Sequence, residues 1–297
     1  MKEPNFFVIG APKCGTTALA KYLAEHPQVF MSDPKEPHYF NTDIDHGSFK
    51  DRDKYLGLFE ESTAEHTVVG EASVWYLYSQ KAIGNIEAGI ECPKYIVMLR
   101  NPVDMVSSLH EQNVYSGTEN LRDLETAWNA IDDRMAGKRL SMFAGDPVLL
   151  NYRAACSLGS QLDRFFAIVP PERRLVLFME DLKANPREFW LKVQAFLGVE
   201  DDGRAEFEVV NSAKVRRVQF LKRANDAYVA FRQRFGFKPL GTGFFAKLNR
   251  WNHRSRSRPP LDPRFRAMLL EEFKGEIDKI ENLTGRDLQH WRRPESQ

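Results

Sequence analysis

A glycine-containing loop near the start of the chain has the residue types needed to hold a phosphate-like group. It runs from Gly10 to Gly15 after a short apolar stretch, and a helical pattern begins near Thr16. A strand, a glycine-rich turn and a helix in this order direct main-chain N–H groups and a helix N-terminus at one point, which favours an anion. The spacing fits the P-loop frame, but Thr16 stands where that frame has its lysine, and the lysine of this loop is Lys13. We therefore expect a phosphate-like ligand that is held differently from the nucleotide of an ordinary nucleoside triphosphatase.

A second candidate anion site follows the apolar run 95–99, which predicts a central parallel strand. In a P-loop nucleotidase such a strand would end in an aspartate that holds magnesium, whereas this strand ends in Arg100. Asn101 and Pro102 then predict the start of a helix that carries Ser108. An arginine fork at a strand end, with a hydroxyl on the helix that follows, suits a phosphate monoester.

A carboxylate, Glu71, follows the short strand predicted at 67–70. Ligands of open α/β sheets bind outside the carboxyl ends of the strands, so an acid placed there can take part in proton transfer. The alternative is that Glu71 caps a helix or forms a surface salt bridge, which is the commoner role of a glutamate.

Composition excludes several classes of protein. The chain has 297 residues, 42% of them hydrophobic and 28% charged, which is typical of a globular α/β domain, and we expect a single domain over 1–297. A net charge of +1 gives no reason to expect a nucleic-acid partner. Three scattered cysteines are too few for a disulfide framework or a zinc site. Because no apolar run reaches the roughly 18–20 residues that span a bilayer, we expect no stable membrane insertion and a cytoplasmic location.

The order of apolar and helical patterns predicts a P-loop-like, three-layer α/β fold. A central parallel sheet of four or five strands would be flanked by helices on both faces. The polar segment 116–150 is interpreted as a helical insertion over the acceptor cleft. Glu180 and Asp181 are placed where they could cap the helix that follows. Further elements are predicted as helices at 53–60, 151–168, 186–197 and 262–283, and as a strand at 174–179.

Two of these motifs carry a resemblance to a known family. The segment APKCGTTAL resembles the 5′-phosphosulfate loop of sulfotransferases that use 3′-phosphoadenosine 5′-phosphosulfate (PAPS), and RNPVDMVSS resembles their 3′-phosphate motif. The resemblance implies that PAPS is the co-substrate and that no metal is needed. It also implies a set of residues that bind PAPS, namely Lys13, Cys14, Gly15, Thr16 and Thr17 in the loop, and Arg100 and Ser108 beyond it.

Two further segments resemble those of heparan sulfate sulfotransferases. KEPHYF resembles a segment that faces the transferred group, which implies substrate-binding roles for Lys35 and His38. GEASVWY resembles a stretch whose glutamate is the general base, which implies that role for Glu71, and His38 is the alternative base. Ala72 departs from the lysine that is common in that stretch. A basic run before the last helix resembles the loop that closes over the 3′-phosphate, with Ser255 in place of a glycine. In that run the resemblance implies PAPS-binding roles for Arg254, Ser255 and Arg256.

The resemblance thus implies transfer of a sulfuryl group from PAPS to an acceptor hydroxyl, or less commonly to an amine. Lys13 would neutralise charge on the bridging oxygen and the leaving phosphate. The resemblance in GEASVWY and KEPHYF favours a carbohydrate or glycoconjugate as the acceptor, with a lipid or a small secondary metabolite as the alternative, and the sequence leaves the oligomeric state open. Two alternatives stay open from the residues themselves: a small-molecule or nucleoside kinase with a degenerate P-loop, and a non-catalytic nucleotide-binding protein.

Overall fold

Five parallel strands form the central sheet of the protein. The computed structural model describes residues 3–45, 48–142, 144–208, 214–216, 253–255 and 260–293. The strand order is β2-β3-β1-β4-β5, which confirms the predicted α/β fold with its parallel sheet. The strands are β1 (Phe6–Gly10), β2 (Val29–Met31), β3 (Val68–Ala72), β4 (Lys94–Leu99) and β5 (Arg174–Phe178).

Strand β1 lies in the middle of the sheet, and all five of its residues are buried. It pairs with β3 on one side and with β4 on the other. Burial on both faces explains why β1 and β4 appear in the sequence as nearly continuous apolar runs. The sequence analysis missed the edge strand β2, because its three residues are too few to form a pattern.

Helices flank the sheet and follow most of its strands. The segment at 186–197 is a helix, as predicted, and Gly198 ends it in a left-handed conformation. The helices are α1 (Thr16–Ala24), α2 (Arg52–Gly57), α3 (Ala82–Gly89), α4 (Pro102–Ser116), α5 (Leu124–Asn129), α6 (Ile131–Met135), α7 (Tyr152–Cys156), α8 (Leu158–Ile168), α9 (Met179–Ala184), α10 (Pro186–Leu197), α11 (Pro263–Glu272) and α12 (Lys274–Thr284). Short 3₁₀ turns lie at Pro147–Leu150, Pro171–Arg173 and Gln289–Arg292, and β6 (Lys214–Arg216) pairs antiparallel with β7 (His253–Ser255).

Two long helices were predicted where the chain forms pairs of helices. The segment 151–168 breaks at Ser157, whose ψ of 63° is not helical, and 262–283 breaks at Phe273. On both sides of each break the apolar side chains pack on the core, so their spacing continues through the interruption. Periodicity alone therefore could not show either break.

The predicted capping role of Glu180 and Asp181 is wrong. Asn185 caps α10 by accepting a hydrogen bond from a main-chain N–H at 3.1 Å. Asp181 instead accepts two hydrogen bonds from Arg286, at 2.6 and 2.9 Å, and Glu180 accepts one from the Trp291 indole at 2.9 Å. These acids tie the end of β5 to the C-terminal segment, a contact between residues about a hundred positions apart that no local pattern indicates.

The segment 116–150 is packed around a buried ion pair. Arg134 donates to Glu119 at 2.6 Å, and both side chains are fully buried. The Tyr152 hydroxyl also donates to Glu119, at 2.8 Å, so the carboxylate binds the insertion to α7. A buried charge of this kind is stable only when hydrogen bonds surround it. The position of this segment over an acceptor cleft stays a prediction, as does the single-domain organisation.

Close contact between α8 and α12 generates a test of the fold. A Cβ atom at Gly159 would lie 2.4 Å from the main-chain oxygen of Glu276, which is far inside van der Waals contact. We expect Gly159→Ala to force the two helices apart and lower the free energy of unfolding by about 1–3 kcal/mol. The measurement is urea unfolding followed by circular dichroism.

The matched control is Gly84→Ala in α3, where a Cβ atom would meet nothing within 4 Å. An alanine there should raise the free energy of unfolding by about 0.5–1 kcal/mol through helix propensity. Equal stabilisation by both substitutions would show that α8 and α12 do not pack this closely.

Candidate functional site

The predicted phosphate loop joins the central strand to the first helix. Strand β1 ends at Gly10 and α1 begins at Thr16. Gly15 is the N-cap residue with φ of 91°, a left-handed conformation that favours glycine, and no side chain caps this helix. The first N–H groups of a helix have no partner within the helix. The N-terminus of α1 is therefore suited to bind an anion through main-chain groups.

The structure brings the two predicted anion motifs together. Arg100 follows β4, and its Nη1 donates to the main-chain oxygen of Lys13 at 3.4 Å. The Lys13 Nζ donates to Oε1 of Gln112 on α4 at 3.2 Å. Lys13 has φ of 66°, a conformation uncommon outside glycine. Ser108 lies on the same helix as Gln112 and is buried. Lys13 and Arg100 thus flank one region at the carboxyl edge of the sheet.

Cys14 is in the predicted loop, but its side chain belongs to the core. The thiol is fully buried, and its Sγ lies 3.9 Å from the Met105 sulfur. Burial raises the pKa of Cys14 to about 12, against the opposing effects of Arg100 and Lys13. The two threonines of the loop differ in exposure, since the side chain of Thr16 is buried and that of Thr17 is exposed. Of these three side chains only Thr17 is open to a ligand in this structure.

Glu71 lies inside β3, one residue before the strand ends, rather than after its end as predicted. It pairs in register with Phe7 of β1, and its side chain is fully buried. Three hydroxyl groups donate to the carboxylate. Oε1 accepts from Tyr55 at 2.9 Å and Tyr76 at 2.8 Å, and Oε2 accepts from Ser73 at 2.5 Å. The predicted surface alternatives for Glu71, a cap or an exposed salt bridge, are therefore wrong.

The environment of Glu71 shifts its proton affinity. Burial disfavours the charged form and raises the pKa of Glu71 from 4.5 to about 7, although the three hydroxyl bonds oppose the shift. The negative charge of Glu36 adds to the increase. Near neutral pH the carboxyl group therefore exchanges between its protonated and ionised forms.

The loop after β2 carries the predicted substrate-binding residues, Lys35 and His38. Both contact Glu36: the Lys35 Nζ donates to Oε1 at 2.5 Å, and the His38 Nε2 lies 3.4 Å from Oε2. Burial alone would raise the pKa of Glu36, but the bonds and charges of His38 and Lys35 outweigh it and lower that pKa to about 2. The sequence analysis passed over Glu36, although it stands between the two selected residues.

Glu36 and Glu71 differ in their exposure to solvent. The Glu36 side chain is 34% exposed and that of His38 only 3% exposed, whereas Glu71 has no exposed surface. Glu36 and His38 have φ of 65° and 52°, in a region that residues with side chains rarely adopt. Conformations of this kind persist only where surrounding contacts maintain them. The loop is thus held in an unfavourable main-chain geometry at the edge of the sheet.

A cleft of about 940 Å³ adjoins this region, between residues 39–56 and helix α3. Tyr39 and Tyr55 line it with rings stacked 4.3 Å apart. The hydroxyl group of Tyr55 donates a hydrogen bond to the buried carboxylate of Glu71. A ligand in the cleft would therefore meet the surroundings of Glu71 through Tyr55 and not directly.

The predicted basic loop is only partly placed. Arg254 and Ser255 belong to β7, where Arg254 pairs in register with Val215. Arg256 lies outside the described residues. The PAPS-binding role of these three residues stays a prediction.

Metal-binding and membrane-spanning features were sought in the described part of the chain. Within it, no group of three or more His, Cys, Asp or Glu side chains is arranged to hold a metal ion. No helix there is long and apolar enough to cross a bilayer. A reaction without metal stays a prediction.

Comparison with known proteins decides the family. The chain matches the model of the sulfotransferase domain over residues 3–228. It belongs to the sulfotransferase family. The solved structure of a sulfotransferase from Alicyclobacillus acidocaldarius matches this sulfotransferase with a TM-score of 0.73 and 26% identity, over 99% of this chain and all of that one. The family and the fold expected from the sequence are both confirmed.

Two curated relatives bear on the subgroup. This sulfotransferase is 25% identical over 308 residues to the human bifunctional heparan sulfate N-deacetylase/N-sulfotransferase 3, a match that covers 99% of this chain and 32% of that protein. It is 27% identical over 207 residues to the mouse heparan sulfate glucosamine 3-O-sulfotransferase 6, covering 66% of this chain and 52% of that protein. The chain thus spans about a third of the length of the first relative and about half of the length of the second.

The raised pKa of Glu71 generates a test that needs no substrate. Between pH 4.5 and about 7 the folded protein holds a proton on Glu71 that the unfolded chain has lost. The contribution of Glu71 to the free energy of unfolding is therefore fully present below pH 4.5 and is lost as the pH rises through 7. We expect the free energy of unfolding of the parent protein, relative to Glu71→Gln, to fall across this window in urea titrations at constant ionic strength.

Glu36→Gln provides the opposite case, because the pKa of Glu36 is lowered from 4.5 to about 2. The contribution of Glu36 should be present above pH 4.5 and disappear as the pH falls towards 2. A flat difference between the parent protein and Glu71→Gln from pH 4.5 to 7 would mean that burial does not perturb this carboxyl group.

Proposed function

We propose that this sulfotransferase transfers the sulfuryl group of PAPS to an acceptor hydroxyl. The observation that carries the proposal is the contact between Arg100 and the main chain of Lys13, 3.4 Å long. It makes one continuous site from a loop suited to a 5′-phosphosulfate and an arginine suited to a 3′-phosphate. A ligand with phosphate groups at both ends of a nucleoside matches this pair of motifs better than a nucleoside triphosphate does.

The loop residues would bind and stabilise the leaving group. Main-chain N–H groups of Gly15, Thr16 and Thr17 at the start of α1 would hold the 5′-phosphate. The acceptor oxygen forms a bond to sulfur while the bond from sulfur to the phosphate oxygen breaks. Lys13 would neutralise the charge that develops on that oxygen, and adenosine 3′,5′-bisphosphate leaves. The cationic groups Lys13 and Arg100 let the transfer proceed without a metal.

Two carboxylates could accept the proton of the acceptor hydroxyl. The sequence assigns this role to Glu71, whose pKa of about 7 suits a general base at neutral pH. However, a general base must lie within hydrogen-bond reach of the proton it removes, and that requirement comes before pKa. Glu71 is fully buried, whereas Glu36 is 34% exposed and ionised at neutral pH. Exposure therefore favours Glu36, but a pKa of about 2 makes it a weak base, and geometry without bound ligands does not exclude a general base. We therefore assign the proton transfer to Glu71, with Glu36 as the alternative.

The acceptor is proposed to be a glycan or glycoconjugate. The names of the relatives support this class, since the two proteins above are heparan sulfate enzymes. A lipid or another small molecule is the alternative, and a mass-spectrometric screen of acceptors with labelled PAPS would distinguish these classes. A cytoplasmic location and the lack of a nucleic-acid partner are kept as parts of the proposal.

Selectivity for the 3′-phosphate tests the nucleotide site. Adenosine 3′,5′-bisphosphate should raise the melting temperature much more than ATP at equal concentration. A ligand at a hundredfold excess over its dissociation constant stabilises a protein by about 2.7 kcal/mol. We expect Arg100→Ala to remove most of this difference in a thermal-shift assay, because it removes the fork that binds the 3′-phosphate.

Arg187→Ala is the matched control for that experiment. Arg187 is an exposed arginine on α10 that pairs with Asp201, and its loss should leave the discrimination intact. Equal stabilisation by ATP and by the bisphosphate would contradict the proposal. Magnesium-dependent turnover of ATP would support the kinase alternative instead.

The same substitution at the two acids tests the assignment of the base. Glu71→Gln keeps the size of the side chain but cannot take the proton, so kcat should fall by about 10²–10⁴-fold. Glu36→Gln should lower kcat by a smaller factor. The measurement is initial-rate kinetics on an acceptor found in the screen, with the affinity for adenosine 3′,5′-bisphosphate as the control for an intact nucleotide site.

His38→Ala provides the comparison for the loop, and its effect should be smaller than that of Glu71→Gln. If Glu71→Gln keeps near-normal kcat while Glu36→Gln or His38→Ala abolishes it, the assignment of Glu71 as the base is wrong.

A further inference from the structure

The C-terminal turn Gln289–Arg292 contacts the residue that follows Arg100. Asn101 is the N-cap residue of α4, and its Oδ1 accepts a hydrogen bond from the main-chain N–H of Val103 at 3.0 Å. The Nδ2 atom of the same side chain donates to the main-chain oxygen of Trp291 at 2.9 Å. Because Oδ1 already has a donor, the amide has one orientation. Asn101 is therefore a buried bridge between the start of α4 and the C-terminal turn.

The same turn is anchored to the end of β5. The Trp291 Nε1 donates to Oε2 of Glu180 at 2.9 Å, and the His290 Nε2 lies 2.8 Å from the other carboxylate oxygen. Trp291 is only 2% exposed, and its ring packs against that of Phe178, the last residue of β5, with centroids 5.9 Å apart. Trp291 thus has a fixed place in the core, and its main-chain oxygen is a fixed acceptor for Asn101.

These contacts hold the main chain of Arg100 from its C-terminal side. Strands β4 and β5 pair in register, and their last pair is Leu99 with Phe178. Arg100 lies between Leu99, which the strand pairing fixes, and Asn101, which the C-terminal turn fixes. From this position its Nη1 donates to the main-chain oxygen of Lys13 at 3.4 Å. A binding group keeps its geometry only when neighbouring contacts support it, and here a part of that support comes from the end of the chain.

We propose that Asn101 and Trp291 are positioning residues, which fix Arg100 in the place where it binds the 3′-phosphate of the nucleotide. The proposal rests on the proposed function in so far as that phosphate is the ligand of Arg100. Both side chains are buried, so they act through the main chain of Arg100 and not as binding groups. The chain of contacts runs from Glu180 through Trp291 to Asn101.

Two substitutions interrupt these contacts without adding a charge. Asn101→Ser keeps a side-chain oxygen that can cap α4 and removes the amide that donates to Trp291. Trp291→Phe keeps an aromatic ring in the core and removes the indole N–H that donates to Glu180. Arg266 on α11 still pairs with Asp104 in the first turn of α4, 3.3 Å apart. We therefore expect α4 to stay attached to the C-terminal helices in both variants.

Helix α10 provides a matched control for each substitution. Asn185 is its N-cap residue, is also followed by a proline, and accepts a hydrogen bond from the main-chain N–H of Glu188 at 3.1 Å. Trp190 is fully buried, and its Nε1 donates to a carboxylate oxygen of Asp202 at 2.8 Å. Asn185→Ser and Trp190→Phe therefore make the same chemical changes at a helix that does not carry Arg100.

The first measurement compares the dissociation constants of adenosine 3′,5′-bisphosphate and adenosine 5′-monophosphate by isothermal titration calorimetry. These ligands differ only in the 3′-phosphate, so a displaced Arg100 should weaken binding of the first and not of the second. We expect Asn101→Ser and Trp291→Phe each to weaken binding of the bisphosphate by about tenfold, which is typical of coupled sites. Asn185→Ser and Trp190→Phe should bind both ligands as the parent protein does.

Double variants test whether the effects share one path. Because Asn101→Ser and Trp291→Phe interrupt the same chain of contacts, the double variant should bind the bisphosphate no more weakly than the weaker of the two single variants. Independent effects would multiply instead. In an Arg100→Ala background, Asn101→Ser should cause no further loss of affinity, since the group that it positions is absent.

The second measurement needs no ligand. The order parameter of the Arg100 Nε–H bond, obtained from ¹⁵N relaxation of the full chain, reports how firmly this side chain is held. We expect it to fall in Asn101→Ser and in Trp291→Phe. In Asn185→Ser and Trp190→Phe it should equal the parent value.

The outcomes distinguish this inference from the proposed function. If the parent protein prefers the bisphosphate and both variants keep that preference, the inference is overturned and the proposed function stands. An equal loss for both ligands, or the same loss in the α10 controls, would indicate general loosening and would also overturn the inference. If the parent protein shows no preference for the bisphosphate, the proposed function fails. The positioning role is then retained if the Arg100 order parameter falls in both variants, and is overturned if it does not.

Discussion

A carboxylate on the face of a buried parallel sheet is stable only if protein groups fill its hydrogen-bonding capacity. At Glu71 this requirement is met by three hydroxyl groups from two parts of the chain, Tyr55 on α2 and the pair Ser73 and Tyr76 after β3. The last two also accept hydrogen bonds from the main chain of the loop after β2. One carboxyl group thus links a helix, a strand and a loop, which also pack on one another through aromatic rings such as those of Tyr55 and Phe40.

The nucleotide side of the site has a different physical basis. The positive charges of Lys13 and Arg100 both act to lower the pKa of the Cys14 thiol, although burial has the larger effect and raises that pKa. Both charges are therefore felt at the centre of the loop. Two cations near one helix N-terminus repel each other in the free protein. A ligand with several negative charges relieves that repulsion and gains the main-chain donors of α1 as well. Binding of the proposed polyanionic nucleotide would therefore stabilise this edge of the sheet.

The two acids of the site occupy opposite electrostatic environments. Glu36 lies between Lys35 and His38, keeps its charge and has access to solvent. Glu71 lies in the core, where the charged form is disfavoured, and even the charge of Glu36 acts against its ionisation. Such a difference in environment is how two carboxyl groups close to one another come to have different roles. Glu36 is therefore held in its ionised form, whereas Glu71 can bind and release a proton near neutral pH.

The sequence by itself determined the strand–loop–helix unit at Lys13, the start of α4 at Asn101, the α/β class and the family. These depend on residues close together in the chain, whose burial, turn and capping preferences act locally. Only the tertiary structure decided the partners of Asp181, the breaks at Ser157 and Phe273, and the arrangement around Glu36. The His38–Ser73 bond, for example, joins residues 35 positions apart. Contacts of that kind depend on how strands assemble into the sheet, because the spacing of residues along the chain does not determine which hydroxyl will face which N–H group.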